Sequence, residues 1–219
     1  MKASSEKPYL LLGKKPLLAH TLLSLERCSL VQDIILIVKR SRVTLAERLI
    51  RTFKIKKVIG VYAGGASRFE SVWQGLRRVS PRSDFVLVHD GARPLLQERL
   101  IRRVVEGARR DGAAIPVIPI TSTVKRGRGR FVRETLLRKE LWDVQTPQVF
   151  RKSLLLEGYR RAKKANIKTT DCARVVERLG KRVRCVPGDP KNIKITTREE
   201  LALARIFLKG KVVNPCAWG

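Results

Sequence analysis

The sequence predicts an α/β protein in which helices flank a mostly parallel, twisted sheet. Short apolar runs rich in Val and Ile alternate with amphipathic helical patterns along most of the 219 residues. The runs are apolar at consecutive positions, which is typical of strands buried on both faces. Their alternation with helices indicates parallel strands joined by helical crossovers. Neither an internal repeat nor a linker divides the sequence, so residues 1–219 are expected to form one domain.

Five runs are predicted as strands because they are short, apolar and bounded by polar or turn residues. They cover Asp33–Val38, Lys57–Tyr62, Asp84–Val88, Ala113–Ile120 and Arg182–Val186. Elsewhere apolar residues recur at the spacing of an amphipathic helix. These helices are expected over Thr44–Phe53, Arg68–Val79, Gln97–Asp111, 151–165, 171–179 and Arg198–Lys209. Thr197 is suited to cap the last of them.

The alternation breaks over about 121–149. There Lys125–Arg130 carries two glycines between two extended runs, as expected for the tip of a β-hairpin. We therefore expect an arm that projects from the sheet. The basic tip is also compatible with a solvated loop that protects a strand edge.

The charge balance favours anionic partners without specifying one. Lys and Arg number 48 against 19 Asp and Glu, which gives a net charge of +29. A field of that sign attracts polyanions, or it reflects a heavily charged surface of the kind found in heat-adapted proteins. The basic residues are spread over every predicted element, and aromatic residues make up only 5%. That composition is poor for a base-stacking surface, so specific nucleic-acid binding is not expected.

Other composition signals point to an ordinary intracellular protein. No apolar run approaches the roughly 18 residues of a membrane helix, and the N-terminus has no signal-peptide pattern. We therefore expect no membrane partner and a cytoplasmic location. The cysteines form no C-x-x-C pair and there are two histidines, so free thiols are expected rather than a zinc site. The cysteines are Cys28, Cys172, Cys185 and Cys216.

Three segments carry residues suited to an anionic ligand. Gly64 and Gly65 form a turn before a predicted helix that contains Arg68 and Ser71. A glycine turn lets the backbone approach a ligand closely, and the N-terminus of a helix favours anions. An ordinary strand-to-helix junction would also need glycine here.

The second segment places Asp90 and Arg93 directly after a predicted strand, at the edge where open α/β sheets bind ligands. The carboxylate suits Mg²⁺ and the guanidinium suits phosphate, although Asp90 could instead cap the next helix.

In the third segment, Lys194 stands between Ile193 and Ile195 in a strand-like stretch. The alternation favours an inward lysine over a surface one.

Taken together, the segments resemble one family in order and spacing. Beyond those above, the matching motifs are Gln145–Phe150, Thr170–Asp171 and Asn192–Thr196. From Lys7 to about Ala204 the sequence is similar to the 2-C-methyl-D-erythritol 4-phosphate cytidylyltransferases. The resemblance implies a Rossmann-like fold. It also implies transfer of CMP from CTP to a sugar-alcohol phosphate, with release of pyrophosphate, in non-mevalonate isoprenoid precursor synthesis.

The resemblance also assigns roles to individual residues. The catalytic residues would be Asp90, Lys7 and Lys194. Asp90 would lie at Mg²⁺, and the two lysines would neutralise the α-phosphate. The nucleotide would contact Gly64, Gly65, Arg68 and Ser71. The acceptor substrate would contact Arg93, Thr135, Lys152 and Thr170. Thr135 and Lys152 would come from the second subunit of a homodimer, through a dimerisation arm at about 121–149.

One departure from the family pattern concerns the start of the chain. Family members open with a buried strand and a glycine-rich loop that ends in Met, and Met1 falls at that position. We expect a start about twenty residues upstream, and a slot in the central sheet with weak CTP binding for the sequence as given. Two alternatives remain open: a ribitol 5-phosphate cytidylyltransferase, against which Ser71 counts, and an inactive truncated homologue that binds polyanions non-specifically.

Overall fold

A computed structural model describes residues 7–167 and 169–210; Met1 and Cys216 lie outside them. The helices are α1 Leu17–Arg27, α2 Val43–Thr52, α3 Arg68–Leu76, α4 Glu98–Asp111, α5 Lys152–Lys164, α6 Ala173–Glu177 and α7 Arg198–Leu208. The strands are β1 Leu11–Leu12, β2 Lys15–Pro16, β3 Ile34–Val38, β4 Val58–Ala63, β5 Phe85–Val88, β6 Ala113–Pro119, β7 Lys125–Arg128, β8 Phe131–Thr135, β9 Trp142–Val144, β10 Gln148–Arg151 and β11 Arg184–Pro187.

The main sheet has five strands in the order β11-β6-β10-β5, with β9 also paired to β6. β11 runs parallel to β6, and β10 runs antiparallel to both β6 and β5. Consequently β5, β6 and β11 point the same way. The predicted α/β class is confirmed. The sheet is more mixed than the sequence indicated, because the unpredicted strand β10 separates two parallel neighbours.

Two further strands, β3 and β4, form a parallel pair of their own. Within the described part of the chain β3 and β5 are not paired with each other. Their side chains nevertheless meet in one core, since Leu36 of β3 is buried in the cluster against which Leu87 of β5 packs. The upstream strand expected from the sequence stays a prediction.

Side chains alternate between two cores on opposite faces of the sheet. One core unites α1, α2 and α4 with Ala114 of β6 and Val149 of β10. The other unites α3, α5 and α6 with Ile115 of β6 and Phe150 of β10. Helices on both faces of a sheet define a three-layer α/β architecture. In the described residues, no helix is long and apolar enough to cross a membrane.

Local capping explains where the helices nearest the sheet edge begin. Ser67 and Glu70 form a reciprocal capping box at the start of α3. Thr197 and Glu200 form a second capping box at the start of α7, which confirms the cap predicted for Thr197. These caps satisfy backbone N–H groups that would otherwise lack partners in the first helical turn.

The predicted hairpin is formed by β7 and β8, with Lys125 opposite Thr135. Gly129 at its tip has a φ of +61°, a conformation that favours glycine. Every residue of both strands is exposed, and Phe131 reaches 81% exposure. The hairpin therefore stands away from both cores.

Candidate active site

The carboxyl end of β5 leads into a loop that presents Asp90 among three cationic side chains. Nζ of Lys194 lies 3.0 Å from Asp90 Oδ2. Nε of Arg68 lies 3.7 Å from Oδ1, and Nε of Arg93 lies 3.8 Å from Oδ2. The structure thus brings together the predicted metal ligand Asp90, the predicted catalytic Lys194, and two arginines, one predicted to bind the nucleotide and one the acceptor substrate. Asp90 does not cap the next helix, because Gln97 occupies the N-cap position of α4.

The surrounding charges keep the Asp90 carboxyl ionised. Its side chain is only 18% exposed, and this burial opposes ionisation. The charges of Lys194 and Arg68 outweigh that effect and hold the pKa of Asp90 below its ordinary value. At neutral pH the group is therefore a carboxylate that can accept hydrogen bonds or ligate a cation.

A short relay of hydrogen bonds fixes the backbone of Asp90. Its N–H donates to Thr146 Oγ1 at 3.1 Å, and the Thr146 hydroxyl lies 3.0 Å from His89 Nδ1. The carbonyl oxygen of Arg93, 3.4 Å from Nε2, can only accept, so Nε2 carries the proton of the neutral ring and Nδ1 accepts from the Thr146 hydroxyl. Desolvation by burial lowers the pKa of His89 to about 4, so the neutral ring required by this relay prevails at pH 7.

Lys194 reaches the site from a loop rather than a strand. The stretch containing it forms no strand in the described chain, so the strand-like assignment was wrong. The reason is that neighbouring backbone groups bond to other loops: Ile195 N–H donates to Ala92 O at 2.8 Å. The predicted inward role is supported, since the ammonium contacts Asp90 although 45% of the side chain is exposed.

Lys7 lies next to this loop. Its Nζ donates to the carbonyl oxygen of Thr196 at 2.7 Å, two residues beyond Lys194. The Lys7 ammonium therefore contacts the same loop that carries Lys194. Concentrated positive charge of this kind suits a polyphosphate ligand.

The glycine turn before α3 has little room for side chains. A Cβ added to Gly64 would lie 2.6 Å from Ser71 Oγ, and one added to Gly65 would lie 2.3 Å from Glu70 Cβ. The Ser71 hydroxyl donates to Ser67 O at 2.9 Å, within the first turn of the helix. The turn thus keeps its backbone close to the start of α3, which is the geometry expected of a backbone anion site.

Arg68 connects the turn to a neighbouring loop. Its Nη1 donates to the buried thiol of Cys172 at 3.4 Å, and Cys172 follows the predicted acceptor residue Thr170 by two positions. Burial raises the pKa of the Cys172 thiol, so the arginine charge is not cancelled by a thiolate at neutral pH. Thr170 itself is exposed.

Two predicted acceptor residues lie away from Asp90 in this chain. Thr135 is exposed on the arm, where its hydroxyl accepts from Lys125 Nζ at 2.6 Å. Lys152 lies beside the opposite end of β5. Its Nζ donates to the carbonyl oxygens of Ser80 and Pro81, both at 2.8 Å. Among the described residues, the hydrogen bonds of these two side chains are therefore made away from Asp90.

Several residues that shape the site were not predicted: His89, Thr146, Cys172 and Gln148. The side chains of Thr146 and Gln148 form hydrogen bonds to other loops. Gln148 Oε1, for instance, accepts from the Cys172 N–H at 3.1 Å. Their sequence motif was visible, but the motif alone does not indicate which loop each side chain contacts.

Comparison with known proteins decides the family. Residues 1–210 match the family model described as IspD, 2-C-methyl-D-erythritol 4-phosphate cytidylyltransferase. The chain belongs to this family. It is 40% identical over 211 residues to the 2-C-methyl-D-erythritol 4-phosphate cytidylyltransferase of Syntrophus aciditrophicus, covering 95% of this chain and 90% of the relative. It is also 40% identical over 214 residues to that of Geobacillus kaustophilus, covering 98% and 93% respectively.

Solved structures of the IspD family share the fold. The 4-diphosphocytidyl-2C-methyl-D-erythritol synthase of Anaerococcus prevotii aligns with a TM-score of 0.86 at 28% identity, covering 94% of this chain and 95% of that one. The 2-C-methyl-D-erythritol 4-phosphate cytidylyltransferase of Thermus thermophilus aligns with a TM-score of 0.81 at 31% identity, covering 94% and 96%. The family resemblance inferred from the motifs is thereby confirmed.

Proposed function

We propose that this protein transfers CMP from CTP to 2-C-methyl-D-erythritol 4-phosphate and releases pyrophosphate, the activity for which its relatives are named. One observation carries the proposal: an ionised Asp90 lies within 4 Å of Lys194, Arg68 and Arg93 at the carboxyl edge of the sheet. Open α/β sheets bind nucleotides at this edge. The cations outnumber the carboxylate, which suits a triphosphate together with a second phosphate.

In the proposed reaction a phosphate oxygen of the acceptor attacks the α-phosphorus of CTP. A bond forms between that oxygen and the α-phosphorus, and the bond from the α-phosphorus to the bridging oxygen breaks, so that pyrophosphate leaves. The attacking phosphate is already ionised near pH 7, and a base is therefore not required. Lys194 and Lys7 would neutralise the charge that gathers around the α-phosphate, since catalysis of such transfers relies on positioning and charge stabilisation.

We propose Asp90 as the protein ligand of Mg²⁺. Mg²⁺ in nucleotide sites is commonly held by one or two carboxylates together with substrate phosphates, and the ionised Asp90 provides one such carboxylate. Asp90 would hold the metal, whose positive charge would then offset that of the phosphates. Arg68 and the Gly64–Gly65 backbone would hold the nucleotide beside it, and Ser71 lies close enough to the turn to contribute there.

We propose that the active form is a homodimer built through the arm. Apolar side chains on and beside the hairpin are exposed in the single chain: Phe131 81%, Val132 64%, Leu137 57% and Trp142 47%. Exposed apolar side chains at this density are typical of a surface covered by another subunit. The partner's arm would deliver Thr135 to the acceptor site. For Lys152 to contribute as well, its ammonium would have to exchange two carbonyl partners for the acceptor phosphate.

CTP is a nucleotide of the cytoplasm, and we propose that the enzyme works there.

The release of pyrophosphate from CTP in the presence of Mg²⁺ tests the activity, with 2-C-methyl-D-erythritol 4-phosphate and ribitol 5-phosphate as separate acceptors. We expect turnover with the erythritol substrate and little with ribitol 5-phosphate. Preference for the ribitol compound would contradict the acceptor assignment, and release from neither acceptor by a folded sample would contradict the proposed function.

A further inference from the structure

Two buried side-chain amides next to the site have no role in the reaction proposed above. Gln145 is 2% exposed and Asn192 is 0% exposed. A buried amide costs free energy unless its polar atoms are hydrogen-bonded, so the partners of such a group indicate what it does. Both amides bond to the backbone of loops that carry site residues.

Gln145 fastens the start of the loop that carries Lys194. Its Nε2 donates to Asp189 O at 2.9 Å, and its Oε1 accepts from the Asp189 N–H at 3.1 Å. The side-chain amide thus pairs with both the N–H and the C=O of Asp189, as the opposite residue of an antiparallel strand would. Asp189 lies two residues after the end of β11, just beyond the point where the regular pairing with β6 ends.

Asn192 fastens the same loop two residues before Lys194. Its Nδ2 donates to Thr146 O at 2.7 Å. The main-chain carbonyl oxygen of Asn192 accepts from Arg93 Nη1 at 2.7 Å. Beyond Lys194, the N–H of Ile195 donates to Ala92 O at 2.8 Å. Main-chain atoms on both sides of Lys194 are therefore bonded to the loop that bears Asp90, and the Asn192 side chain adds a bond to Thr146, whose hydroxyl accepts the Asp90 N–H.

We propose that Asn192 is a positioning residue that holds the Lys194 ammonium at the Asp90 carboxylate. A lysine side chain is a flexible four-carbon chain, and that of Lys194 is 45% exposed. Its own packing therefore does not hold the ammonium in place. Anchoring its backbone restricts the volume that Nζ can reach to the neighbourhood of Asp90. The inference rests on the proposed function for its kinetic consequence, but the placement of Lys194 can be measured without turnover.

The kinetic test is a double-mutant cycle of Asn192→Ala and Lys194→Ala. If Asn192 acts through Lys194, its loss lowers kcat by about tenfold when Lys194 is present and by less than about twofold when Lys194 is absent. Gln148→Ala provides the matched control, since Gln148 is also a buried amide (1% exposed) but bonds to the Cys172 loop instead. Its effect should be the same factor in both backgrounds.

The second test measures Lys194 directly, by acetylation with acetic anhydride and peptide mass analysis, with exposed Lys209 as the internal reference. Lys194 paired with Asp90 should react slowly in the wild type and several-fold faster in Asn192→Ala. If that variant unfolds at lower denaturant, Gln145→Met loosens the other end of the loop and should give the same acceleration. Unchanged acetylation in the folded variants would overturn the proposal, whereas altered acetylation without any CTP turnover would contradict only the proposed function.

Discussion

Thr146→Val should destabilise the protein and displace Asp90 while leaving the shape of the side chain almost unchanged. The wild-type hydroxyl accepts the Asp90 N–H at 3.1 Å and lies 3.0 Å from His89 Nδ1, so valine removes a partner from two groups at once. A buried polar group left unsatisfied costs about 1–3 kcal/mol. Two such losses add to about 2–6 kcal/mol, and because both hydrogen bonds are only partly buried we expect a total in the lower half of that range, about 3 kcal/mol.

For a chain of this size, about 3 kcal/mol corresponds to a fall in Tm of roughly 6–12 °C. Thermal unfolding followed by circular dichroism measures the change. Thr146→Ser keeps the hydroxyl and should lie close to the wild type. Thr52→Val is the matched control, because Thr52 is exposed and its hydroxyl donates within its own helix, to Arg48 O at 2.9 Å. Equal losses in the Ser and Val variants, or a Val variant as stable as the wild type, would refute the relay.

Three further outcomes are expected. Asp90→Asn should keep its fold but lose turnover by about a hundredfold or more, the equivalent of about 3 kcal/mol, and near-normal turnover would remove Asp90 from the mechanism. Mixing Lys194→Ala protein with Thr135→Ala protein should restore some activity in hybrid dimers, because one site then keeps both residues; no recovery after confirmed subunit exchange would mean that each chain builds its own site. The pKa of His89 is depressed to about 4 in the fold, so its stabilising contribution is complete above about pH 6.5 and is lost as the pH falls towards 4. His89→Asn should flatten the stability profile in this window, and an unchanged profile would argue against a buried neutral ring.

The elements predicted from the sequence are those whose pattern is local. β3, α2, β4 and α4 each carry their own apolar periodicity, and the observed bounds differ from the predicted ones by a residue or so. α1 was not predicted. Leu17, Leu18 and Leu22 are buried together with three further residues of the helix, and so much burial leaves little polar face to mark its period.

β10 was missed for a different reason. Its four residues become a strand through pairing with β5 and β6, as when Phe150 lies opposite both Val86 and Ala113. Such pairs join distant parts of the sequence, and no property of Gln148–Arg151 alone specifies them. The same strand makes the sheet mixed instead of uniformly parallel.

The residues of the site also divide into those that the sequence indicates locally and those whose contacts depend on the fold. Asp90, Arg68 and Lys194 were predicted because their motifs and residue types are distinctive. Their partners Thr146 and Asn192 act through hydrogen bonds to the backbone of other loops, and the sequence motif does not name those contacts. Residue type predicts which groups can bind phosphate, whereas the fold determines which groups hold them in place.

The most direct test of the account is the acceptor-dependent release of pyrophosphate from CTP by the wild-type protein and by Lys194→Ala, measured with Mg²⁺ and 2-C-methyl-D-erythritol 4-phosphate. We expect turnover that requires the acceptor, yields one CDP-linked product per pyrophosphate, and falls by about a hundredfold or more in the variant. Equal turnover in the two proteins, or pyrophosphate release that does not depend on the acceptor, would contradict it.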